Sequence, residues 1–206
     1  HDFNLSSNDS WAYAHSLDFA FSVVEIFTCL LNGGTLNIVP SVVTEDGALL
    51  GEFVNEKGIT TLFQSSSSFD RFAKSASAVN SLRYLFVGDG EGNPAVAKLW
   101  SVQYAQVQLI QLIGTPKSSM CGAYTTIVAG SSKLSGAAKS MALANCYVLD
   151  ANQMMLPLGR PGELYLAGPV IAETSLDSST RSNDDYYRNP FRNSGLMLRT
   201  GLNVRW

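Results

Sequence analysis

Residues 82–114, LRYLFVGDGEGNPAVAKLWSVQYAQVQLIQLIG, decide the fold class of this chain. They predict a strand that ends in a glycine-rich loop, a helix that begins near Asn93, and a second apolar strand. The preceding sequence predicts further strands at TLNIV (residues 35–39) and Ile59–Phe63, each after a helical stretch. Strands that alternate with helices are typical of a largely parallel sheet. We therefore expect an α/β fold over residues 1–123.

The helix before TLNIV has clear sequence signals at both ends. Ser22 is a suitable N-cap, and Glu25 three residues later completes the pattern of a capping box. Asn32-Gly33-Gly34 is a typical helix stop. These signals predict a helix over Val23–Leu31.

The pattern changes after about residue 123. Residues 146–168, CYVLDANQMMLPLGRPGELYLAG, predict a β-hairpin around a polar turn, and residues 195–206 again have strand character. We expect residues 124–206 to form a small β-rich subdomain.

Composition excludes several classes of function. The 206 residues carry a formal net charge of −3 without a basic stripe, which argues against a nucleic-acid partner. No apolar run is long enough to span a membrane. The three cysteines are widely spaced without a CxxC motif, which favours reduced thiols in the cytoplasm and no metal site.

The residues alone do not indicate a catalytic centre. The segment IGTPKSS (113–119) looks like a phosphate loop, but Pro116 stands before Lys117 and has no N–H to offer a phosphate. No G-x-S-x-G elbow is present, and a lone histidine such as His15 is more often a packed residue. Asp184 and Asp185 fall in a polar loop, where we expect them to face solvent. The loop GDGEG (88–92) is expected to be a plain turn.

Several segments in order nevertheless resemble the adenylation domains of nonribosomal peptide synthetases. HSLDFAFSVVEIF and LLNGGTLNIVP resemble the family's HSFAFDFSVWEIF and LLSGGxLVVVP. GITTLFQSSSSF resembles GVTVLNQTPSAF, LRYLFVGDGEGNP resembles LRYVIFGGEALDP, and LIQLIGTPKSSMCG falls where the family has LINxYGPTETTVCA. YVLDANQMMLPLGRPGELYLAG and RNPF…LMLRTGLNVRW are similar to YVLDxxLxPVPxGxPGELYIGG and PNPF…RMYRTGDLARW. The similarity runs from about residue 9 to residue 206.

The resemblance implies an α/β core of the adenylate-forming type. Such domains activate an amino acid with ATP and Mg²⁺ as an acyl-adenylate and pass it to the phosphopantetheine thiol of a carrier protein. The partners implied are the carrier protein and condensation domains of a multimodular synthetase. The family's N-terminal phosphate loop and C-terminal lid are expected to lie outside this segment.

The resemblance also assigns the nucleotide-binding positions, most of which depart from the family pattern. Ile113 replaces the tyrosine that stacks on adenine, and Leu202 replaces the aspartate that binds the ribose. Lys117 stands where the family has a glutamate that serves Mg²⁺. The full set of nucleotide positions is Gly88, Ile113, Gly114, Pro116 and Leu202, and no metal ligand is assigned.

These replacements predict weak binding of MgATP. Losing the aromatic platform removes about 1–3 kcal/mol, and ribose hydroxyls left without an acceptor remove about 1–3 kcal/mol more. Lysine is not a ligand for Mg²⁺, a cation that takes oxygen ligands. The combined loss is on the order of 4–8 kcal/mol, which is about 10³–10⁶ in affinity.

The implied substrate pocket is mostly apolar. Ala20 replaces the aspartate that holds the substrate's amino group, so a keto, hydroxy or aryl acid suits the pocket better than an α-amino acid. Asp18 would lie on the same face as Ala20 if the two were in a strand, and would partly substitute. The predicted walls are Ala20, Phe21, Val24, Gln64, Phe86, Gly88, Leu112, Met120 and Cys121.

Three functions follow from the sequence. The first is a segment of a nonribosomal peptide synthetase adenylation domain that is inactive alone. The second is a catalytically dead adenylation module with a structural or docking role. The third is an acyl-adenylating ligase for an acid without an amino group.

Overall fold

The computed structural model describes residues 3–75, 79–90, 92–129, 138–172, 185–192 and 195–206. The chain forms two compact units. The first comprises His1–Ile113 with Tyr124–Lys139, and the second comprises Gly114–Ala123 with Ser140–Trp206. The division at residue 123 into an α/β part of the core and a β-rich subdomain stays a prediction.

The first unit is an alternation of strands and helices. Its elements are β1 (Ser10–Tyr13), α1 (Ala20–Leu31), β2 (Thr35–Ile38), α2 (Ser41–Thr44), α3 (Gly47–Glu56), β3 (Thr61–Ser65), α4 (Ser66–Ser75), β4 (Tyr84–Gly88), α5 (Pro94–Gln103) and β5 (Gln108–Ile113). They are followed by β6 (Ala123–Ile127) and β7 (Lys139–Ser140). The sheet has the order β2-β1-β3-β4-β5-β6-β7. Because β1 pairs parallel with β2 and β3, β3 with β4, and β4 with β5, the expected parallel α/β sheet is confirmed.

The centre of this sheet is buried on both faces. All five residues of β4 are buried, as is typical of a central parallel strand covered by helices. Leu62, Leu85 and Leu109, from three neighbouring strands, are fully buried in one core. Trp100 of α5 and Phe69 of α4 pack into the same core from the helical side.

Two helices begin at the side chains that local rules favour. The Asp46 carboxylate caps α3 by accepting hydrogen bonds from the N–H groups of Ala48 and Leu49 at 2.8 and 3.1 Å. Asn93 caps α5 through the Ala95 N–H at 3.0 Å, with proline in the first turn. The helix predicted to begin near Asn93 is therefore confirmed.

The predicted capping box at Ser22 and Glu25 is wrong. α1 begins three residues earlier than predicted, at Ala20, and its N-cap residue Phe19 makes no side-chain cap. Ser22 lies inside the first turn, where its hydroxyl donates to the carbonyls of Leu17 and Phe19 at 3.1 and 2.8 Å. Phe21 packs against Phe63 of the sheet. Because of this apolar contact, the helix begins before Ser22, the residue that local rules favour as the N-cap.

The second unit contains an antiparallel sheet of four strands. These are β8 (Asn145–Leu149), β9 (Pro161–Ala167), β10 (Tyr186–Arg188) and β11 (Leu196–Arg205), in the order β10-β11-β9-β8. β8 and β9 pair antiparallel, which confirms the predicted hairpin. One face buries Leu149, Tyr165, Ala167 and Met197. Among the described residues, none of the helices has the length and hydropathy to cross a membrane.

Candidate functional site

The carboxyl ends of β3, β4 and β5 carry four residues of the predicted substrate pocket. Gln64 lies near the end of β3, Phe86 and Gly88 lie in β4, and Leu112 lies in β5. In parallel α/β sheets, ligands bind beyond the carboxyl ends of the strands. These four positions therefore lie at the edge where this kind of fold binds ligands.

Gly88 brings three of the predicted pocket residues together. A Cβ atom at this position would lie 2.7 Å from Cζ of Phe21 and 3.3 Å from Cβ of Leu112. The first distance is shorter than real Cβ contacts, so the ring of Phe21 already fills the space in front of Gly88. A glycine is required here because another chain element approaches the backbone closely.

The loop after Gly88 is a tight turn. Asp89 and Gly90 both have positive φ, at 60° and 121°, and Asp89 is exposed. The hydroxyl of Ser66 donates to the carbonyls of Gly88 and Gly90 at 3.1 and 3.0 Å. Glu91 lies outside the described residues. The described part of GDGEG thus has the geometry of the turn that the sequence predicts.

An aromatic wall lies behind this edge. The ring of Phe63 stacks on that of Phe86 at 4.5 Å and lies 5.7 Å from that of Phe21. All three rings are buried. At the start of α1, Ala20 and Val24 are half-buried. This side of the predicted pocket is therefore apolar.

Asp18 does not replace the aspartate that the family pattern has at the position of Ala20, at least in the way that the sequence predicts. Ala20 is the first residue of α1, so the two-residue spacing does not place Asp18 on a shared strand face. Asp18 is exposed in the turn that precedes the helix. The expectation that both lie on one face of a strand is wrong, because the helix begins earlier than predicted.

A hydrogen-bonded contact between His15 and the buried Glu25 was missed by the sequence reasoning. Nδ1 of His15 lies 2.7 Å from Oε1 of Glu25, and the imidazole packs against the rings of Phe19 and Phe21 at 5.1 and 5.3 Å. Burial raises the pKa of Glu25 more strongly than His15 lowers it. Among the described residues, Oε2 of Glu25 has no hydrogen-bond partner. The signal for this pair was the position of Glu25 one turn after Phe21 on the buried face.

Gln64 faces the protein interior. Its side-chain amide is buried and donates to the carbonyl of Phe63 at 2.8 Å. It is the polar member of an otherwise apolar group of predicted pocket residues at the sheet edge. It supplies hydrogen-bonding capacity but no charge.

The loop that follows β5 is compact. Pro116–Ser118 form one 3₁₀ turn, and the Thr115 N–H donates to the Ser118 hydroxyl at 3.0 Å. A Cβ at Gly114 would lie 2.8 Å from the Met120 backbone, so this segment folds back on itself. Ser119 has positive φ, at 47°. Nothing in this arrangement resembles the open curl of N–H groups that a phosphate loop needs.

Lys117 is held by an acidic partner. Its Nζ lies 2.7 Å from Oδ2 of Asp185 and 5.4 Å from the centre of the Tyr186 ring. The carbonyl of Lys117 accepts from the Ala172 N–H at 2.8 Å. Asp185 was expected to face solvent, and 48% of its side-chain surface is exposed, although the fold also brings Lys117 to it across 68 residues of sequence. Asp184 lies outside the described residues.

Met120 and Cys121 complete this loop. Met120 is buried, and the Cys121 thiol donates to the Ser119 carbonyl at 3.1 Å. Burial raises the pKa of Cys121 to about 11. Since the thiolate is the reactive form, Cys121 is not poised to act as a nucleophile near neutral pH.

Leu202 lies in β11 beside a conspicuous ion pair. Nε of Arg199 donates to the two carboxylate oxygens of Glu163 at 2.8 and 2.9 Å, and the Gly201 N–H donates to the same carboxylate at 3.0 Å. The Leu202 N–H donates to the Thr200 hydroxyl at 3.2 Å. The side chain of Leu202 adds no hydrogen-bond acceptor to this corner.

The predicted site residues fall into two groups. Eight lie in the first unit, namely Ala20, Phe21, Val24, Gln64, Phe86, Gly88, Leu112 and Ile113. The other six lie in the second unit, namely Gly114, Pro116, Lys117, Met120, Cys121 and Leu202. Within the described parts of the chain, no group of three or more His, Cys, Asp or Glu side chains is arranged to hold a metal ion.

A cavity of about 620 Å³ lies on the antiparallel sheet of the second unit. Tyr165, Tyr187 and the Glu163–Arg199 pair line it, together with Arg160. None of the predicted substrate-pocket residues lines this cavity. It therefore does not locate the site that the sequence resemblance implies.

The chain matches the family model of AMP-binding enzymes over residues 1–176. It is 30% identical over 217 residues to the dimodular nonribosomal peptide synthase of Bacillus subtilis (strain 168), covering 98% of this chain and 9% of the relative. It is 29% identical over 184 residues to syringomycin synthase SyrB1 of Pseudomonas syringae pv. syringae, covering 85% of this chain and 30% of the relative. The chain thus spans less than a third of the length of either relative.

Solved adenylation structures share the fold. The N-terminal subdomain of Klebsiella oxytoca NpsA, in complex with anthranilyl-AMSN, superposes with a TM-score of 0.85 at 21% identity. That match covers 98% of this chain and 52% of the NpsA chain. PA1221, a synthetase protein containing adenylation and PCP domains, matches with a TM-score of 0.85 at 18% identity, covering 96% of this chain and 41% of its own. The chain therefore belongs to the AMP-binding enzyme family and is a segment of a nonribosomal peptide synthetase adenylation domain.

Proposed function

We propose that this segment keeps the architecture of an acid-activating domain but does not itself support formation of an acyl-adenylate. Domains of this family are expected to join a carboxylic or amino acid to ATP and to load a carrier protein. The proposal concerns the nucleotide positions of this chain, whose residues do not fit MgATP.

The proposal rests mainly on the position of Lys117 and on its salt bridge with Asp185. This residue stands at the position implied for the magnesium-serving glutamate, and its ammonium is 2.7 Å from the Asp185 carboxylate. Mg²⁺ takes oxygen ligands, so a lysine supplies no ligand and repels the metal. The Asp185 carboxylate and the Tyr186 ring also hold the Lys117 side chain at this position.

Two further positions support the same conclusion. Ile113 has no aromatic face on which adenine can stack, and each lost stacking contact removes about 1–3 kcal/mol. Leu202 has no acceptor for ribose hydroxyls, and a buried unpaired hydroxyl costs about 1–3 kcal/mol. At these three positions the chain lacks a contact with MgATP, so we propose no reaction step that uses the nucleotide.

Calorimetric titration with MgATP, together with ATP–pyrophosphate exchange, tests the proposal on this chain. We expect neither heat of binding at millimolar MgATP nor exchange with amino, keto or aryl acids. Exchange that depends on any of these acids would overturn the proposal.

A repaired variant makes the test sharper. Lys117→Glu alone would place a new carboxylate against Asp185, so the variant should combine Lys117→Glu, Asp185→Asn and Leu202→Asp. We expect a gain of about tenfold or more in MgATP affinity, because one ribose contact alone is worth about 1–3 kcal/mol. Lys98→Glu, an exposed change of the same charge on α5, is the matched control and should bind no better than the unmodified chain. Equal affinity of the repaired variant and the control would count against the account of these residues.

A second candidate function is activation of an aryl acid. The wall of Phe21, Phe63 and Phe86 is buried and apolar, and Asp18 is exposed. The NpsA subdomain, which shares the fold, was solved with 3-hydroxybenzoyl-AMSN and with anthranilyl-AMSN. This candidate predicts that benzoate shifts NMR signals of the chain while phenylalanine at the same concentration does not. Equal shifts from both acids would exclude it.

We also propose a carrier protein as the partner, within a module that includes a condensation domain. NpsA has been studied as an artificial adenylation–PCP fusion, and PA1221 contains both domains. If the segment acts only as a docking module, a carrier protein should bind it without being acylated. The free thiols of Cys29, Cys121 and Cys146 are compatible with the cytoplasm as its compartment.

A further inference from the structure

The cavity of about 620 Å³ in the second unit lies over cross-strand neighbours of the antiparallel sheet. Tyr165 of β9 is the register partner of Arg199 of β11, and Glu163 is likewise the partner of Asn203. Register partners of an antiparallel pair carry their side chains on the same face, with Cβ atoms about 4.5–5.5 Å apart. The lining residues all lie between Leu149 and Asn203, so they belong to this one unit. The volume of the cavity is typical of small-molecule sites, which enclose about 300–1,000 Å³.

Tyr165 brings an unpartnered hydroxyl to this cavity. Only 4% of the residue is exposed, and among the described residues its hydroxyl has no hydrogen-bond partner. Burial raises the pKa of Tyr165, as does the nearby Glu163 carboxylate, so the hydroxyl keeps its proton at neutral pH. The ring of Tyr187 lies edge-on to that of Tyr165 at 5.8 Å. Because a buried tyrosine normally finds a partner for its hydroxyl, this hydroxyl indicates a missing hydrogen-bond acceptor.

The cavity also contains amide and guanidinium donors that the described protein does not use. Arg199 donates only its Nε–H to Glu163, and within the described chain its two Nη groups make no hydrogen bond. The side chains of Arg160 and Asn203, which also line the cavity, have no partner among those residues. A guanidinium whose Nη groups are unpaired can bind a carboxylate through two parallel hydrogen bonds.

The acidic side chains of the lining are already engaged. The Glu163 carboxylate accepts from Arg199 and from the Gly201 N–H. Oδ1 of Asp150 accepts from two backbone N–H groups of its own turn at 2.8 and 2.9 Å. The unpaired groups are therefore mainly donors, which suit an anionic ligand. Since the lining contains two guanidinium and two carboxylate groups, its net charge is zero, and a monoanion suits it better than a phosphate dianion.

We propose that this cavity binds a small aryl monocarboxylate at a site that shares no residue with the implied substrate pocket. The carboxylate of the ligand accepts hydrogen bonds from Arg160, Arg199 and the Tyr165 hydroxyl. Its ring lies against the apolar part of the lining, to which Tyr187 and Leu156 contribute. The inference does not rest on the proposed function, because it concerns neither the nucleotide positions nor the aromatic wall of the first unit.

Titration of the chain with benzoate, followed through its backbone amide NMR signals, tests the inference. Benzamide has the same shape without the charge and is the comparison ligand. The amide signals of Gly162 and Asn203 report on the cavity, whereas those of Phe86 and Gly88 report on the pocket of the aryl-acid candidate. The two proposals can therefore fail independently of each other.

Two variants remove single donors from the cavity. Arg160→Gln removes an exposed guanidinium, and Arg188→Gln, at an exposed position of β10 outside the lining, is its matched control. Tyr165→Phe removes only the hydroxyl. Its matched control is Tyr147→Phe, at the register partner of Tyr165 on β8, which does not line the cavity. Circular dichroism spectra of all four variants should equal that of the unmodified chain.

We expect benzoate to shift the Gly162 and Asn203 signals saturably, and benzamide to bind about tenfold or more weakly. Hydrogen bonds to a charged group are the stronger ones, so Tyr165→Phe should weaken benzoate binding about tenfold and Arg160→Gln about fivefold or more. The two control variants should stay within about twofold of the unmodified chain, as expected of residues that do not touch the ligand.

Three results would overturn the inference. One is the lack of a saturable shift of the cavity signals with benzoate, whatever the signals of Phe86 and Gly88 do. Another is equal affinity for benzoate and benzamide, or tighter binding of phenyl phosphate than of benzoate. The third is a loss of affinity in the Arg188 and Tyr147 controls as large as that in the cavity variants.

Discussion

Substituting Gly88 by alanine places a methyl group where the ring of Phe21 already lies. The new Cβ would be 2.7 Å from Cζ of Phe21 and 3.3 Å from Cβ of Leu112. The ring has little freedom to withdraw, because Phe21 is fully buried and packs against Phe63 and His15. We therefore expect Gly88→Ala to overpack the edge of the sheet.

The expected loss of stability is about 1–2 kcal/mol. Overpacking a close-packed site costs about 1–3 kcal/mol. Replacing glycine by alanine also lowers the conformational entropy of the unfolded chain. This effect stabilises the folded protein by about 0.4–1 kcal/mol where the backbone conformation suits both residues. Gly88 is not among the residues with positive φ, so this compensation applies.

Urea-induced unfolding, followed by the fluorescence of the buried Trp11 and Trp100, measures this loss. A double-mutant cycle with Phe21→Ala separates the clash from other effects of the alanine. Phe21→Ala alone should lose about 3–5 kcal/mol. In that background the methyl group meets no ring, so Gly88→Ala should be neutral or slightly stabilising.

The coupling between the two positions should therefore be about 1–2 kcal/mol. If Gly88→Ala lowers stability by the same amount with and without the Phe21 ring, contact with that ring does not explain why glycine occupies position 88. A stabilising effect of Gly88→Ala in the unmodified chain would likewise refute the close approach of Phe21.

Three other predictions concern single side chains. Burial raises the pKa of Glu25 above 4.5, so its contribution to stability is fully present below pH 4.5 and is lost as pH rises through the folded-state pKa. Glu25→Gln, which cannot ionise, should flatten the pH dependence of the unfolding free energy above pH 4.5, and an unchanged slope would contradict the assignment. Asp46→Ala removes the α3 cap and should lose about 0.5–2 kcal/mol in urea unfolding, whereas Asp18→Ala, in an exposed turn, should lose little. With a pKa of about 11, against 9.0 for an ordinary thiol, Cys121 should carry about 100-fold less thiolate at pH 8. The rate at which iodoacetamide alkylates Cys121 should therefore rise about tenfold per pH unit up to that pKa. Comparison with Cys121→Ser identifies the signal of this thiol. A rate that stops rising near pH 9 would exclude the raised pKa.

Much of the fold could be predicted from local sequence patterns. The order of strands and helices through residue 113 follows from runs of apolar residues and from Asn93 and the glycines that punctuate them. The hairpin around residues 150–160 follows from its turn residues. The start of α1 could not be predicted in this way, because burial of Phe21 outweighs the capping preference of Ser22.

The candidate site was predictable only as a set of positions. Replacements such as Leu202 for an aspartate are predicted from the sequence once the family resemblance is recognised. The partner of Lys117 was not, since Asp185 is 68 residues away and lies in a polar stretch that local rules assign to solvent. The partner of His15 was missed because Glu25 also fitted a local capping pattern.

By itself, the sequence determined the fold class and the family, and it predicted which nucleotide-binding positions depart from the family pattern. Each of these depends on which residues occur in which order, and such information is local to the chain. Only the tertiary structure decided that Lys117 pairs with Asp185, that Phe21 fills the space before Gly88, and that α1 exposes Phe27 and Leu31. Those outcomes depend on distances between elements that are remote in sequence, and packing of the whole unit sets such distances.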